Sequence, residues 1–233
     1  MSTKKKKRKK RRGGSLILRL LLLLPNDRIY AFHNVSSHPE IELTSRKLDT
    51  QAFYDFIRRH GPYVSLEEMG QPDRPTGRAA VTFDDGLEDV YTIAYPFLKG
   101  ENIPFTVFVL TDKLDQPGYL TTAQLKEIAQ DPLVTIGSHG TDHTRLSRTD
   151  RDKQYHELHA SKEKLEALLG RPCAFFAYPF GAYNETTLDL MQSAGYALAY
   201  AVRGRPLLLG NHRDPYTLPR LSIDDSTLPY YDH

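Results

Sequence analysis

Ala79-Ala80-Val81-Thr82-Phe83-Asp84-Asp85-Gly86 runs an apolar, β-branched stretch straight into two adjacent carboxylates and a glycine. Ala79 to Phe83 is predicted to be a buried strand, with Gly86 marking its sharp exit. Like charges on neighbouring residues raise one another's pKa unless a cation or hydrogen-bond donors intervene, so the pair points to a metal or a shared proton. An Asp-Asp-Gly turn capping the next helix accounts for the same three residues.

On either side the chain repeats the same alternation. Arg28 to Phe32, Phe105 to Leu110, Leu133 to Ile136, Ala174 to Tyr178 and Tyr196 to Val202 read as strands, and Leu218 to Ile223 as a last, edge strand. Phe105 to Leu110 is apolar on both faces, as a strand inside a parallel sheet must be. Between them lie helical patterns: Leu48 to Ile57, stopped by Gly61-Pro62; Glu88 to Lys99, bent by Pro96; Thr121 to Gln130 with a Thr cap; and Glu185 to Ala194. Asp150 to Leu169 is predicted to be a long helix with an apolar stripe at Tyr155, Leu158, Leu165 and Leu168, a solvated charged face and Gly170 at its end. Strands alternating with helices imply a parallel α/β sheet with right-handed crossovers.

Polar residues gather where three of these strands end. After Asp84-Asp85 come Gly137-Ser138-His139-Gly140-Thr141-Asp142-His143 and then Pro179-Phe180-Gly181-Ala182-Tyr183-Asn184. Histidines at i and i+4 on one helical turn would bring both rings to one ion; two surface histidines are the plainer alternative. Asp85, His139 and His143 together make a three-ligand set with room for water or substrate, as in a catalytic metal centre. Asp84 cannot easily reach the same ion and is then free to act as a base. The same ligand types occur in iron oxygenases, where Asp84 would have no role.

The 233 residues, 39% of them hydrophobic, suffice for one full-sized core. Nine of the 31 basic residues fall between Lys4 and Arg12; the remaining 22 face 29 acidic residues, a net of −7, which argues against a nucleic-acid partner. The apolar tract Leu16 to Leu24 follows the basic run directly. This order resembles a signal peptide or anchor, although a transmembrane helix needs about 20 apolar residues. Residues 1–27 are therefore read as a basic leader and 28–233 as one domain, with an extracytoplasmic location, secreted or membrane-attached, expected over a cytoplasmic one. Cys173 is the only cysteine, so no internal disulfide forms. No feature of the sequence sets an oligomeric state.

Thr82-Phe83-Asp84-Asp85-Gly86, Ser138-His139-xxx-His143 and Tyr178-Pro179-Phe180-Gly181 resemble, in order and spacing, the first three motifs of the polysaccharide deacetylase family (NodB homology, carbohydrate esterase family four). The resemblance spans roughly residues 28 to 226. It implies a single-domain distorted, incomplete (β/α) barrel with its active site at the strand C-terminal face. It also implies a divalent metal, zinc before cobalt or other ions, and hydrolysis of acetyl groups on a polysaccharide or oligosaccharide. By the same resemblance Asp84 is the base, Asp85, His139 and His143 are the metal ligands, and the Phe180 N–H helps hold the oxyanion.

Ala177 stands where many members carry a base-orienting arginine, Gly140 replaces a usual Ser or Thr, and the fourth-motif tryptophan is absent. A subgroup that deacetylates poly-N-acetylglucosamine is similar across Phe176 to Asn184 and takes its general acid from an early histidine, which matches His33. Arg220 is a candidate to orient Asp84, with an edge-strand salt bridge as the other reading. Tyr178 and Tyr183 fit either a sugar-stacking surface or core packing. The expected function is metal-dependent N-deacetylation of N-acetylglucosamine units in a cell-surface polymer. A catalytically impaired carbohydrate-binding relative and a hydrolase of small cyclic amides are the alternatives.

Overall fold

The computed structural model describes residues 26–36, 44–71, 77–202 and 214–231. Seven parallel strands, β1 (Arg28–Phe32), β2 (Ala79–Phe83), β3 (Phe105–Val109), β4 (Val134–Ser138), β5 (Phe175–Ala177), β6 (Leu198–Val202) and β7 (Leu218–Ser222), pair in sequence order and close into a barrel. Closure runs through Tyr30↔Leu221 and Ala31↔Ser222. The predicted edge strand is thus no edge, because β7 pairs with both β6 and β1. Hydropathy reports how deeply a strand is buried and not which neighbours it has.

Helices α1 (Thr50–Arg59), α3 (Tyr95–Gly100), α4 (Thr122–Ile128), α5 (Arg151–Leu169) and α6 (Glu185–Ser193) wrap the outside, while the short α2 (Leu66–Met69) packs Leu66 and Met69 with Ile29 and Ala80 of the strands. Local chemistry sets their ends. Asp49 caps α1, Thr121 and Gln124 form a capping box on α4, and Gly170 closes α5 in the left-handed conformation. The bend expected at Pro96 is realised as a π-helical turn, Val90–Ala94, leading into α3.

Alternate strand residues fall into two apolar layers. Tyr30, Phe32, Val81, Phe83, Phe105, Val107 and Val109 pack outward against the helices, where Phe53 and Phe56 of α1 meet Phe32 edge-on. Ile29, Ala80, Phe108, Ala177 and Tyr200 fill the barrel interior. This period of two assigns Thr82 and Arg220, which lie between outward-facing neighbours, to the interior as well.

The predicted apolar stripe of α5 holds at Leu158 and Leu165, which are fully buried, and is corrected at Tyr155. Tyr155 is 51% exposed, and the inward face carries Gln154, Glu157, Leu158, Ser161 and Leu165. Its polar members meet polar groups of the β4 exit and α6, so they do not need solvent. The tract Leu16–Leu24 lies outside the described residues, among which no helix is long and apolar enough to cross a membrane.

Candidate active site

Strand β2 delivers its two carboxylates in opposite directions. Asp84 continues the strand, with its N–H donated to the Phe32 carbonyl at 2.9 Å. Asp85 then turns at φ 70° and Gly86 at the same angle. Asp tolerates the left-handed region better than most residues, and this reversal separates the two side chains.

Asp84 is fully enclosed. Arg220 donates from Nη1 to Oδ1 at 2.6 Å and from Nη2 to Oδ2 at 2.8 Å, and Nη1 also donates to Thr82 Oγ1 at 3.0 Å. Burial alone would raise the Asp84 carboxyl, but the Arg220 guanidinium, seconded by His139 and His33, holds it well below the ordinary carboxylate range. Arg220 has no solvent exposure and passes over the Phe108 ring at 5.1 Å. The reading of this arginine as an edge-strand salt bridge is therefore corrected: the pair lies inside the barrel, and β7 supplies to Asp84 the guanidinium that position 177 lacks.

His33, at the C-terminal end of β1, places Nε2 3.9 Å from Asp84 Oδ2. Burial pulls its pKa down to about 4, against the pull of Asp84, so the ring is neutral near pH 7. Beyond it, the Val35 N–H donates to Asp89 Oδ2 at 2.5 Å and fixes the segment.

Asp85 meets a different environment. Its Oδ1 is buried without a hydrogen-bond donor, 3.4 Å from His139 Nε2 and 3.5 Å from His143 Nε2. Burial and then the charge of Asp84 push the Asp85 carboxyl up to about 7. His139 Nδ1 lies 2.7 Å from the Ala177 carbonyl, so Nδ1 carries the proton and Nε2 presents its lone pair to Asp85. One ligand atom from each of Asp85, His139 and His143 falls within 4.8 Å of the others. A carboxylate oxygen without a donor, facing the imidazole nitrogens of His139 and His143, fits a single divalent cation. The helical turn predicted for His139–His143 does not form; Gly140 at φ 87° and His143 at φ 71° make an irregular loop that still converges both rings.

The third cluster completes the rim. Phe180 adopts φ 60° in the turn Pro179–Gly181, and a Cβ on Gly181 would approach Val202 N to 2.7 Å, so the backbone packs against β6 as only glycine allows. The Phe180 ring lies 4.3 Å from that of His143, with the Arg145 guanidinium 4.2 Å from its centroid. Tyr178 is corrected to a core residue: it is fully buried, and its hydroxyl donates to the Tyr216 carbonyl at 2.9 Å. Tyr183 is half-buried against it, with ring centroids 4.9 Å apart. Asp89 and Arg145 act through neighbours brought in by folding and leave no local pattern, and Thr82, although inside the first motif, shows its role only through the Arg220 guanidinium it accepts from.

The polysaccharide deacetylase family model matches residues 71–199. Among curated proteins, YxkH of Bacillus subtilis is 27% identical over 201 residues, covering 84% of this chain and 70% of the relative. The poly-beta-1,6-N-acetyl-D-glucosamine N-deacetylase of Staphylococcus aureus is 26% identical over 223 residues, covering 88% and 76%. Among solved structures, IcaB from Ammonifex degensii superposes with a TM-score of 0.77 at 23% identity, covering 89% of this chain and 95% of that one.

Proposed function

This chain belongs to the polysaccharide deacetylase family, and on that premise we propose that it is a divalent-metal-dependent hydrolase removing N-acetyl groups from N-acetylglucosamine units of an extracytoplasmic polysaccharide. The carrying observation is the contrast between Asp84, saturated by Arg220, and Asp85, whose buried oxygen faces only imidazole nitrogens. The choice of N-acetylglucosamine is supported by the Staphylococcus aureus relative. A location outside the cytoplasm, secreted or held at the membrane, is supported by the basic and then apolar order of residues 1–27.

Asp85, His139 and His143 would hold the ion. When bound, the ion, zinc in this reading, supplies Lewis-acid polarisation of the acetyl carbonyl and lowers the pKa of water. Asp84, pinned by Arg220, receives the proton of the attacking water, and the Phe180 N–H stabilises the charge developing on oxygen. His33 is neutral at rest, so it can protonate the departing amine only after a proton reaches it. The Asp84 carboxyl, 3.9 Å away, is the neighbouring group that gains one during the reaction. The catalytically impaired alternative rests on the missing motif elements, of which Arg220 takes the place of one, the base-orienting arginine.

The test is acetate release from N-acetylglucosamine oligomers by metal-stripped protein resupplied with zinc, cobalt or iron, with His139→Ala as control. Metal-dependent release that His139→Ala abolishes is the expected result. Oligomer binding without release under any metal would overturn the hydrolase reading in favour of a carbohydrate-binding role.

A further inference from the structure

Behind the loop that carries both histidines lies a carboxylate for which the proposed chemistry has no use. Glu157, on the inward face of α5, has no solvent exposure. Its Oε2 accepts the Thr141 N–H at 2.7 Å and its Oε1 the Thr141 hydroxyl at 2.6 Å, while Lys153 Nζ lies 2.7 Å from Oε1. A Cβ built on Gly140 would come within 2.8 Å of Oε2, so the carboxylate occupies the space that a side chain at position 140 would need. From the opposite side, the exit of β3 grips the same two residues. Thr111 N–H donates to the Gly140 carbonyl at 3.1 Å and Asp112 N–H to the Thr141 carbonyl at 3.0 Å. One turn further along α5, Ser161 takes the Ser138 hydroxyl at 2.7 Å, and Ser138 Oγ in turn accepts the Gly140 N–H at 3.1 Å.

The segment between the two candidate ligands is thus clamped between β3 and α5. Leaving a carboxylate buried is costly unless donors saturate it, and here the loop itself supplies two of the three groups that do so. That requirement ties Glu157 to a single loop conformation, the one in which His139 and His143 converge. We propose that Glu157 is a positioning residue: by fixing the His139–His143 loop before any cation arrives, it sets the affinity of the site for a divalent ion. This inference rests on the reading of Asp85, His139 and His143 as a metal centre. Partners one step removed from a ligand typically change metal affinity by about 10–100-fold when replaced, and pre-ordering a glycine-containing loop removes an entropic cost from binding.

The experiment compares the full chain with Glu157→Gln, Thr141→Val and Tyr196→Phe. It reads zinc affinity by competition with a chromogenic chelator, and the melting temperature of the metal-stripped protein. Tyr196→Phe is the control for a purely structural role, because it removes a buried hydrogen bond to the Leu158 carbonyl of the same helix, and its hydroxyl approaches the clamp only through Ser161, 3.5 Å away, and Ser138, without a bond to Glu157 or Thr141. The expected result is a zinc affinity lowered roughly tenfold to a hundredfold in Glu157→Gln and Thr141→Val, with Tyr196→Phe losing stability but keeping the parent's affinity. Thr141→Val retains the backbone bond and the Lys153 pair, so it decides the matter if Glu157→Gln does not fold. Parent-like zinc affinity in the loop variants, with melting temperatures lowered as in the control, overturns the inference. If the parent itself binds no zinc, cobalt or iron, the metal-centre reading fails, an outcome distinct from loss of the Glu157 effect.

Discussion

One side of the barrel mouth, built on β1, β2 and β7, and the other, built on the β4 exit and α5, receive adjacent residues of the chain and treat them oppositely. On the first side Arg220 donates to both oxygens of Asp84 and is itself held by Thr82, whose hydroxyl accepts a further bond from Nη1, so the charge of Asp84 is fixed. On the second, Asp85 has an oxygen with no donor at all, and the hydrogen bonds go instead to the loop behind the two histidines. Two carboxylates whose environments drive their pKa values apart can divide the labour of a hydrolytic site, one serving as the base and the other as a ligand. The lesson is that the site's chemistry is set by where donors are withheld as much as by where they are supplied.

The sharpest way to break this contrast is Asp84→Asn. If Asp84 is the base and not a ligand, deacetylation falls by roughly 10²–10⁴-fold while zinc affinity stays at the parent's level. A matched loss of zinc affinity would move Asp84 to the ligand side and erase the distinction.

Arg220→Met tests the cage itself. It leaves the Asp84 charge buried without a partner, which costs about 3–5 kcal/mol of stability near neutral pH. The sign of its pH dependence follows from the depressed Asp84 pKa. In the parent, the Asp84–Arg220 pair stabilises the fold above the ordinary carboxylate range, and this contribution is lost as the pH falls toward the lowered value. Urea unfolding should therefore show parent and Arg220→Met converging as acid neutralises Asp84. A difference that persists undiminished at low pH would mean that the loss is one of packing and not of charge pairing.

A smaller effect is expected at Asp89, which secures the chain just past His33. Burial pushes its carboxyl up from 3.8 to about 6. Between those values the folded protein holds a proton that the unfolded chain has released, so stability from this group declines as the pH rises through the window. His33, lowered to about 4, acts in the opposite sense up to its ordinary 6.5, so the net slope of the parent is uninformative. The difference isolates the carboxyl: relative to the parent, Asp89→Asn should gain up to about 3 kcal/mol between pH 4 and pH 7. A difference independent of pH would show that Asp89 titrates normally and does not strain this side of the site.

Much of the contrast was legible in the sequence, because strands, caps and the polar residues at strand ends are local features. Ala79–Phe83 and Phe105–Val109 are buried throughout, as their composition requires, and Asp85, His139 and His143 come from segments whose polarity changes abruptly. What the sequence leaves open is the part that depends on pairing across the barrel, including which of the two readings of Arg220, orienting Asp84 or an edge-strand salt bridge, is realised. Arg220 lies 136 residues from Asp84, and its role depends on β7 closing against β1, which no hydropathy pattern encodes. The inner face of α5 has regular helical spacing at Gln154, Glu157, Leu158, Ser161 and Leu165, but a search for apolar residues finds only Leu158 and Leu165 of it, passes over the polar members and adds the exposed Tyr155. The loop conformation at Gly140 follows from the Glu157 carboxylate behind it, which is equally remote in sequence.

Tyr178 sharpens the boundary of the site at its third strand. Its position directly before Pro179-Phe180-Gly181 suits a sugar platform as well as a core residue, and only burial separates the two. The ring has no exposed face, and its hydroxyl is taken by the Tyr216 carbonyl at 2.9 Å. Tyr178→Phe removes one hydrogen bond and leaves the Tyr216 carbonyl to find another donor, a cost of about 1 kcal/mol in unfolding free energy. Since no part of the ring reaches the mouth, kcat and KM on N-acetylglucosamine oligomers should remain those of the parent. A raised KM at undiminished stability would return Tyr178 to the substrate surface and place the mouth of the barrel one strand wider than Asp84, Asp85 and the two histidines define it.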